Sequence, residues 1–215
     1  MLDKLIANPI VPVFYHADAE YSCQVVKACY DGGLRFFEFT NRGESAFGVF
    51  KELVPFVREH CPDMEIGIGT IFTASDAEKF LAAGADFVVQ PVTTSDVAKV
   101  CQEHKKPWMP GALTLNEIWT AWDMGAALVK VFPGNIVGPD YIKALRGPMP
   151  KVPLMVTGGV HPTRESIGEW LDAGVQAVGM GSQLFKGDAA TDSTVLSLRV
   201  RRLSDYILER QSAKS

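Results

Sequence analysis

Residues 154–181 have the sequence LMVTGGVHPTRESIGEWLDAGVQAVGMG and contain one complete strand–helix–strand unit. Leu154–Thr157 and Ala177–Gly181 are short runs without charge, as expected for parallel strands that are covered on both faces. Between them, Pro162 can open an amphipathic helix and Gly174 can close it. The stretch therefore predicts one β/α unit of a parallel sheet.

The same unit recurs along the whole chain. Eight β-rich runs alternate with helical stretches: Ile10–Phe14, Phe36–Thr40, Glu65–Thr70, Phe87–Pro91, Trp108–Gly111, Leu128–Phe132, Leu154–Thr157 and Ala177–Gly181. Asp18, Thr73 and Thr114 are expected to cap helices, and the last helix is predicted over Asp192–Gln211 with a frayed tail from Ser212. Eight similar units favour a closed ring over a doubly wound open sheet. We expect an α/β fold, a single (β/α)8 TIM barrel, formed by one domain over residues 1–215.

Composition and charge limit the classes of function. The chain of 215 residues is 47% hydrophobic and 21% charged, which is typical of a soluble globular enzyme. Its formal net charge is -4 and it has no basic block, which disfavours a nucleic-acid partner. No apolar run approaches the ~18 residues that a membrane span needs. Four cysteines without metal-site spacing, and no secretory pattern before them, predict reduced thiols in the cytoplasm.

Two charged residues lie inside apolar predicted strands. Glu38 is the centre of Phe36–Thr40, and Lys130 is the centre of Leu128–Phe132. Lys and Glu are rarely buried unless they are paired or functional. Strand alternation places each of them on one face with the first and last residue of its run. If both faces point into the barrel, the two charges meet near its mouth.

This pair has the chemistry of an imine-forming site. A lysine that attacks a ketone must be neutral, and burial among apolar side chains disfavours its charged form. A neighbouring carboxylate acts in the opposite direction but can move the protons that imine formation and C–C cleavage require. We therefore interpret Lys130 as the nucleophile and Glu38 as its acid–base partner. The alternative is a buried ion pair without a catalytic role, although such pairs are poor stabilisers on balance.

Glycines follow the last two predicted strands. Gly158 and Gly159 come directly after Thr157, and Gly181 is followed by Ser182. Glycine lets backbone N–H groups turn towards a phosphate, a helix start adds partial positive charge, and this fold often binds phosphate in these two loops. We expect these four residues to bind a phosphate group. Glycines that serve tight turns are the other explanation.

Arg42 and Thr70 follow two neighbouring strands. Arg42 lies just past the second run, where its guanidinium could hold a carboxylate through two hydrogen bonds. Thr70 ends the third run. The local sequence leaves both assignments open, because Arg42 could pair with Glu44 at the surface and Thr70 could be an ordinary strand-end threonine.

At these positions the sequence resembles the 2-keto-3-deoxy-6-phosphogluconate (KDPG) aldolase family, which includes the 4-hydroxy-2-oxoglutarate (KHG) aldolases. The resemblance runs from about Pro9 to Phe185. It depends on the order and strand placement of short motifs: Ile10–Val13, Glu38–Arg42, Gly67–Thr70, Met109–Gly111, Val129–Pro133, Thr157–Gly159 and Gly181–Ser182.

The resemblance implies a homotrimeric class I aldolase that needs no metal or other cofactor. It implies reversible cleavage of a 2-keto-3-deoxy-6-phospho sugar acid to pyruvate and D-glyceraldehyde 3-phosphate, with KHG, which yields pyruvate and glyoxylate, as a further substrate. Lys130 would form the imine, and Glu38 would act as general acid and base. The other expected contacts are with the pyruvyl carboxylate (Arg42, Thr70), a substrate hydroxyl (Thr157), the phosphate (Gly158, Gly159, Gly181, Ser182) and the rest of the substrate (Gln90, Pro91, Phe132).

Several positions depart from the family pattern. Ser-Pro-Gly is common at the end of the fourth strand, where this chain has Gln90-Pro91-Val92. An aromatic residue often follows the Gly-Ser pair, where this chain has Gln183, and Asn41 and Gly43 differ around the arginine. Gln90 adds an amide at a position expected to touch the substrate. The preference between gluconate-type and galactonate-type substrates therefore stays open.

Three other functions would also explain the glycine loops. A sugar-phosphate epimerase or a thiamin-phosphate-synthase-like transferase would bind phosphate but would not need a lysine centred in an apolar strand. Such epimerases usually have metal-binding His and Asp on their strands, whereas only His16 and His161 of the four histidines lie near strand ends here. A barrel that binds a phosphorylated ligand without turnover would gain little from a desolvated lysine.

Overall fold

The chain forms a barrel of parallel strands surrounded by helices. A computed structural model describes residues 1–213, so Lys214 and Ser215 of the predicted domain and tail lie outside the described residues. The strand segments are β1 Ile10–Phe14, β2 Phe36–Thr40, β3 Glu65–Gly69, β4 Val88–Val89, β5 Trp108–Met109, β6 Gly111–Ala112, β7 Val129–Val131, β8 Leu154–Thr157 and β9 Ala177–Met180. The predicted (β/α)8 barrel is confirmed, and several strands are shorter than their predicted runs.

The predicted fifth strand is divided in two. Pro110 separates β5, which pairs with β4, from β6, which pairs with β7. Proline has no N–H to donate, but its carbonyl still accepts from the backbone N–H of Lys130 at 2.8 Å. The sheet order β5-β4-β3-β2-β1-β9-β8-β7-β6 is thus closed through Pro110, and nine segments occupy eight barrel positions.

Side-chain N-caps mark the start of several helices. They are α1 Leu2–Ala7, α2 Ala19–Asp31, α3 Ala46–His60, α4 Ala74–Ala82, α5 Ser95–Glu103, α6 Leu115–Asp123, α7 Gly134–Leu145, α8 Arg164–Ala173 and α9 Ser193–Ser212, with a short 3-10 turn at Gly187–Ala190. The side chains of Asp18, Thr73 and Thr114 cap α2, α4 and α6 as predicted. The prediction that Pro162 opens α8 was wrong, because Thr163 is the N-cap and its hydroxyl accepts from the backbone N–H of Ser166.

Apolar side chains form two cores, one outside the barrel wall and one inside it. The outer core lies between the sheet and the helices and includes Phe37, Phe39 and Trp108. The inner core has one or two side chains from most strands: Val11, Phe36, Phe87, Val89, Met109, Leu128, Met155 and Ala177. Leu5 of α1 is fully buried against them and closes the amino-terminal end of the barrel. Within residues 1–213, no helix is both long and apolar enough to cross a membrane.

Candidate active site

The candidate site is the next layer of inward-facing residues above the inner core. Successive side chains of a strand alternate between faces, so the residue two positions after each core residue also faces inwards. Counting two positions on from the inner core gives Val13, Glu38, Pro91, Gly111, Lys130, Thr157 and Gly179. The apolar core therefore forms a floor, and the polar residues predicted for the site lie above it at the carboxyl ends of the strands.

Glu38 and Lys130 meet inside the barrel. The Nζ atom of Lys130 lies 3.3 Å from Oε1 of Glu38 and donates a hydrogen bond to it. Glu38 is 1% exposed and Lys130 is 5% exposed, so bulk water screens the contact little. The Nζ atom also lies 5.5 Å from the centre of the Phe132 ring. This is a buried lysine with a carboxylate in direct contact.

Gly69 makes room for the Glu38 carboxylate. A Cβ atom at position 69 would lie 1.9 Å from Oε1 of Glu38, and one at Gly67 would lie 2.1 Å from the ring of Phe87. A side chain at either of these inward positions of β3 would force the Glu38 carboxylate or the Phe87 ring to move. Sequence reasoning did not assign Gly69 a role, although a glycine inside an apolar strand is a known signal of close approach.

Gly111 performs a similar role beside Lys130. The two residues are paired in the β6–β7 ladder, and a Cβ at Gly111 would lie 2.4 Å from the backbone of Pro91. The end of β4 therefore packs closely against the strand position next to the lysine. The structure thus brings Pro91 and Phe132, both predicted to touch the substrate, near Lys130.

Arg42 and Thr70 lie at the neighbouring ends of β2 and β3. The backbone N–H of Asn41 donates to the carbonyl of Gly69 at 2.9 Å and ties the two connections together. Arg42 is exposed, and within residues 1–213 it forms no ion pair with Glu44. Thr70 has φ of 60°, a left-handed conformation that costs a non-glycine residue about 1 kcal/mol or more. Strain of this kind is often retained where a side chain must be aimed.

Two buried oxygens of this layer have no partner within residues 1–213. The Oε2 atom of Glu38 and the Oγ1 atom of Thr157 are buried and form no hydrogen bond within the described part of the chain. Thr157 is paired with Gly179 on β9, where a Cβ would lie 2.2 Å from that Oγ1. Because buried polar atoms are nearly always paired, two such oxygens in one layer mark it as a candidate binding site.

The glycine loops after β8 and β9 are adjacent, but neither leads directly into a helix. Gly158 and Gly159 have φ of 93° and 75°, and α8 begins only at Arg164. A Cβ at Gly159 would lie 2.9 Å from Cα of Asn135, so close packing also requires this glycine. Ser182 is exposed and lies in a turn. Neither loop supplies a helix start of its own, but the first residues of α7, Gly134 and Asn135, pack against Gly158 and Gly159.

Gln90 is not brought to the site. It lies between the inward-facing Val89 and Pro91, so its side chain points to the helices and is fully buried. Its Oε1 accepts from Nε1 of Trp108 at 2.8 Å, and its Nε2 donates to the carbonyl of Ile71 and to Oγ1 of Thr94. The expected contact between this amide and the substrate does not form, because strand alternation turns it outwards.

The histidines and cysteines lie away from this layer. His16 and His161 are exposed, and no group of three or more His, Cys, Asp or Glu among residues 1–213 could hold a metal ion. All four cysteines are free thiols, as predicted. Burial raises the pKa of Cys61 to about 11 and that of Cys101 to about 12, so neither is a ready nucleophile at neutral pH.

Comparison with known proteins agrees with this geometry. Residues 2–197 match the family model described as KDPG and KHG aldolase. The chain is 34% identical over 162 residues to 2-dehydro-3-deoxy-phosphogluconate aldolase of Pseudoalteromonas atlantica, covering 75% of this chain and 74% of that protein. It is 32% identical over 130 residues to 2-dehydro-3-deoxy-6-phosphogalactonate aldolase of Escherichia coli, covering 60% and 62%.

A solved structure is similar over almost the full length. The KDPG aldolase of Legionella pneumophila, with pyruvate captured at low pH as a covalent carbinolamine intermediate, has a TM-score of 0.84 to this chain. The two are 25% identical, and the match covers 94% of this chain and 98% of that one.

Proposed function

The chain belongs to the KDPG and KHG aldolase family, whose named members are lyases, and from this premise we propose that it is a class I aldolase whose imine forms on Lys130. The observation that carries the proposal is the buried contact of 3.3 Å between Nζ of Lys130 and Oε1 of Glu38. Covalent capture of pyruvate by the Legionella pneumophila relative supports the same chemistry here. No metal or other cofactor is required for it.

The proposed reaction is the reversible cleavage of a 2-keto-3-deoxy-6-phospho sugar acid. The Lys130 amine attacks the C2 ketone to give a carbinolamine, and water leaves to form the imine. Removal of the C4 hydroxyl proton then breaks the C3–C4 bond, releases D-glyceraldehyde 3-phosphate and leaves an enamine. Protonation of C3 and hydrolysis release pyruvate and regenerate the amine. Glu38 carries the protons in these steps, since its carboxylate touches the amine and its Oε2 has no partner within residues 1–213.

The remaining residues are proposed to hold the substrate. Arg42 and Thr70 bind the pyruvyl carboxylate, and Thr157 binds a hydroxyl. Gly158, Gly159, Gly181 and Ser182 bind the phosphate. With glyoxylate as the aldehyde product, the same imine chemistry would cleave KHG.

Trapping with borohydride tests the imine. Reduction in the presence of pyruvate should attach a pyruvyl group to Lys130, which peptide mass mapping detects. Lys130→Ala should lose the adduct and the cleavage activity, whereas Lys143→Ala, at an exposed lysine paired with Asp140, should keep both. Absence of an adduct on Lys130 in the unmodified protein would reject the class I mechanism. It would favour the sugar-phosphate epimerase or thiamin-phosphate-synthase-like alternatives.

A second experiment tests the phosphate site and the substrate. Cleavage rates should be compared for gluconate-type and galactonate-type 2-keto-3-deoxy acids, each with and without the phosphate. Ser182→Ala should raise KM mainly for the phosphorylated acids. An equal rise for both kinds of acid would show that the phosphate binds elsewhere.

We also propose that the chain assembles as a homotrimer. Large apolar side chains are exposed on successive connections of one sector of the barrel: Phe72, Val92, Leu115, Trp119 and Ile136, between 40% and 68% exposed. Such a surface on a folded protein commonly binds another protein. Light scattering coupled to gel filtration should give three times the monomer mass, and Trp119→Lys should lower it. A monomer at micromolar concentration would contradict the proposal.

A further inference from the structure

We propose that Gln90 is a positioning residue that holds Thr70 in the geometry needed to bind the pyruvyl carboxylate. The inference rests on the proposed function, because it assumes that Thr70 contacts this carboxylate. It concerns a residue that lies outside the substrate layer and acts through its neighbours.

The Gln90 amide connects three consecutive barrel strands. Its Nε2 donates to the carbonyl of Ile71 at 3.3 Å and to Oγ1 of Thr94 at 3.1 Å, and its Oε1 accepts from Trp108. Thr94 is the N-cap residue of α5, yet its hydroxyl forms no cap bond in that helix. Threonine at this position would ordinarily cap the helix, so the hydroxyl serves the Gln90 amide instead.

The bond to Ile71 acts on the peptide that follows Ile71, one residue beyond Thr70. Thr70 has φ of 60°, and the backbone N–H of Ile71 reaches the carbonyl of Val89 only at 3.5 Å. The Gln90 bond of 3.3 Å therefore adds a second contact between Ile71 and the β4 segment. Without it, the strained residue can relax towards an ordinary backbone conformation, which would move its hydroxyl away from the position it has at the end of β3.

Trp108 fixes the other end of the amide. The Gln90 carbonyl cannot turn away without leaving the buried indole N–H unpaired, which is unfavourable. The amide orientation is thereby set, and both of its donors point to the connections above β3 and β4. The amide thereby holds the residue that directly follows the left-handed Thr70.

The test is a double-mutant cycle on pyruvate capture. The half-saturating pyruvate concentration for reduced adduct on Lys130 is measured in the full chain and in Gln90→Met, Thr70→Ala and the double variant. Gln90→Met keeps the length of the side chain and removes its hydrogen bonds. It should raise the half-saturating concentration about fivefold to tenfold, the usual effect of one lost hydrogen bond. In the Thr70→Ala background it should have no further effect.

Gln176→Met is the matched control. Gln176 also lies in a hydrogen-bonded network, with Arg146 and the backbone of Leu154, but at the opposite end of the barrel. It should lower the melting temperature without changing the half-saturating concentration. If Gln90→Met does not fold, Thr94→Val removes one partner of the amide and should give a smaller rise, again absent in the Thr70→Ala background.

The outcomes separate the two proposals. Suppose that the unmodified protein forms the adduct and that Gln90→Met raises the half-saturating pyruvate concentration equally with and without Thr70→Ala. This result overturns the positioning role alone. The same rise in Gln176→Met also overturns it, since general loosening would then explain the effect. No adduct in the unmodified protein overturns the class I mechanism and the inference with it.

Discussion

The substitution Gly69→Ala tests whether this glycine provides the space for the Glu38 carboxylate, with kcat as the main measurement. The added Cβ would lie 1.9 Å from Oε1 of Glu38, 2.7 Å from its Cδ and 2.8 Å from its Cγ. Ordinary contact begins near 3.4 Å, so the oxygen must move by about 1.5 Å, the difference between 3.4 and 1.9. That displacement is large against its 3.3 Å distance from Nζ of Lys130. A misplacement of about 1 Å can cost ~10²-fold in rate, and we expect a loss of at least this size in kcat.

The assay is pyruvate release followed through a coupled lactate dehydrogenase reaction, with thermal unfolding measured in parallel. Gly67→Ala is the control for crowding, because its Cβ would meet the Phe87 ring at 2.1 Å and not the carboxylate. It should destabilise by about 1–3 kcal/mol and keep most of kcat. If Gly69→Ala retains the kcat of the unmodified protein, or if Gly67→Ala loses as much, the assignment of Gly69 as the space for Glu38 is wrong.

Three further predictions concern stability and thiol reactivity. Gly48→Ala lies in α3 with no atom within 4 Å of the new Cβ, so it should stabilise by about 0.5–1 kcal/mol in thermal unfolding without changing kcat, and destabilisation would contradict this placement. Hydrogen bonds from the backbone N–H groups of Thr114 and Leu113 hold the pKa of Glu117 below its usual value. The contribution of Glu117 to the free energy of unfolding is therefore present above pH 4.5 and is lost as pH falls through the lowered pKa. Glu117→Gln should therefore lower stability at pH 7 by no more than about 0.5 kcal/mol, because the carboxylate is exposed, and the difference from the unmodified protein should disappear in acid; a constant difference would refute the charge effect. Ellman's reagent at pH 8 should react first with Cys23, the most exposed thiol, and with the other three only after unfolding, and rapid reaction of Cys61 or Cys101 would show that the surrounding helices open.

Strand alternation accounts for most of what could be predicted from the sequence. It placed Glu38 and Lys130 on faces that turn out to share the barrel interior, because each lies two residues beyond a side chain of the inner core. Applied to the fourth strand, the same rule places Gln90 on the opposite face from Val89. The expected substrate contact followed the family pattern at that position and not the alternation.

Contacts between distant strands could not be predicted in this way. The need for glycine at position 69 depends on where the side chain of Glu38 extends across the β2–β3 ladder. The left-handed backbone of Thr70 depends on bonds to its neighbours and has no signature in a threonine itself. The start of α8 was misplaced for a local reason. Threonine is strongly preferred at the N-cap position, so Thr163 caps the helix and the proline before it lies outside the first turn.

The division of the sheet at Pro110 places the proposed catalytic and binding residues on two segments of the chain. Residues 1–110 carry Glu38, Arg42, Thr70 and Gln90, and residues 111–213 carry Lys130, Thr157 and both glycine loops. Neither segment holds an acid–base group together with the nucleophile. Turnover therefore shows that the barrel has closed. During refolding, the recovery of activity should follow the pairing of these two segments and not the earlier formation of local helices.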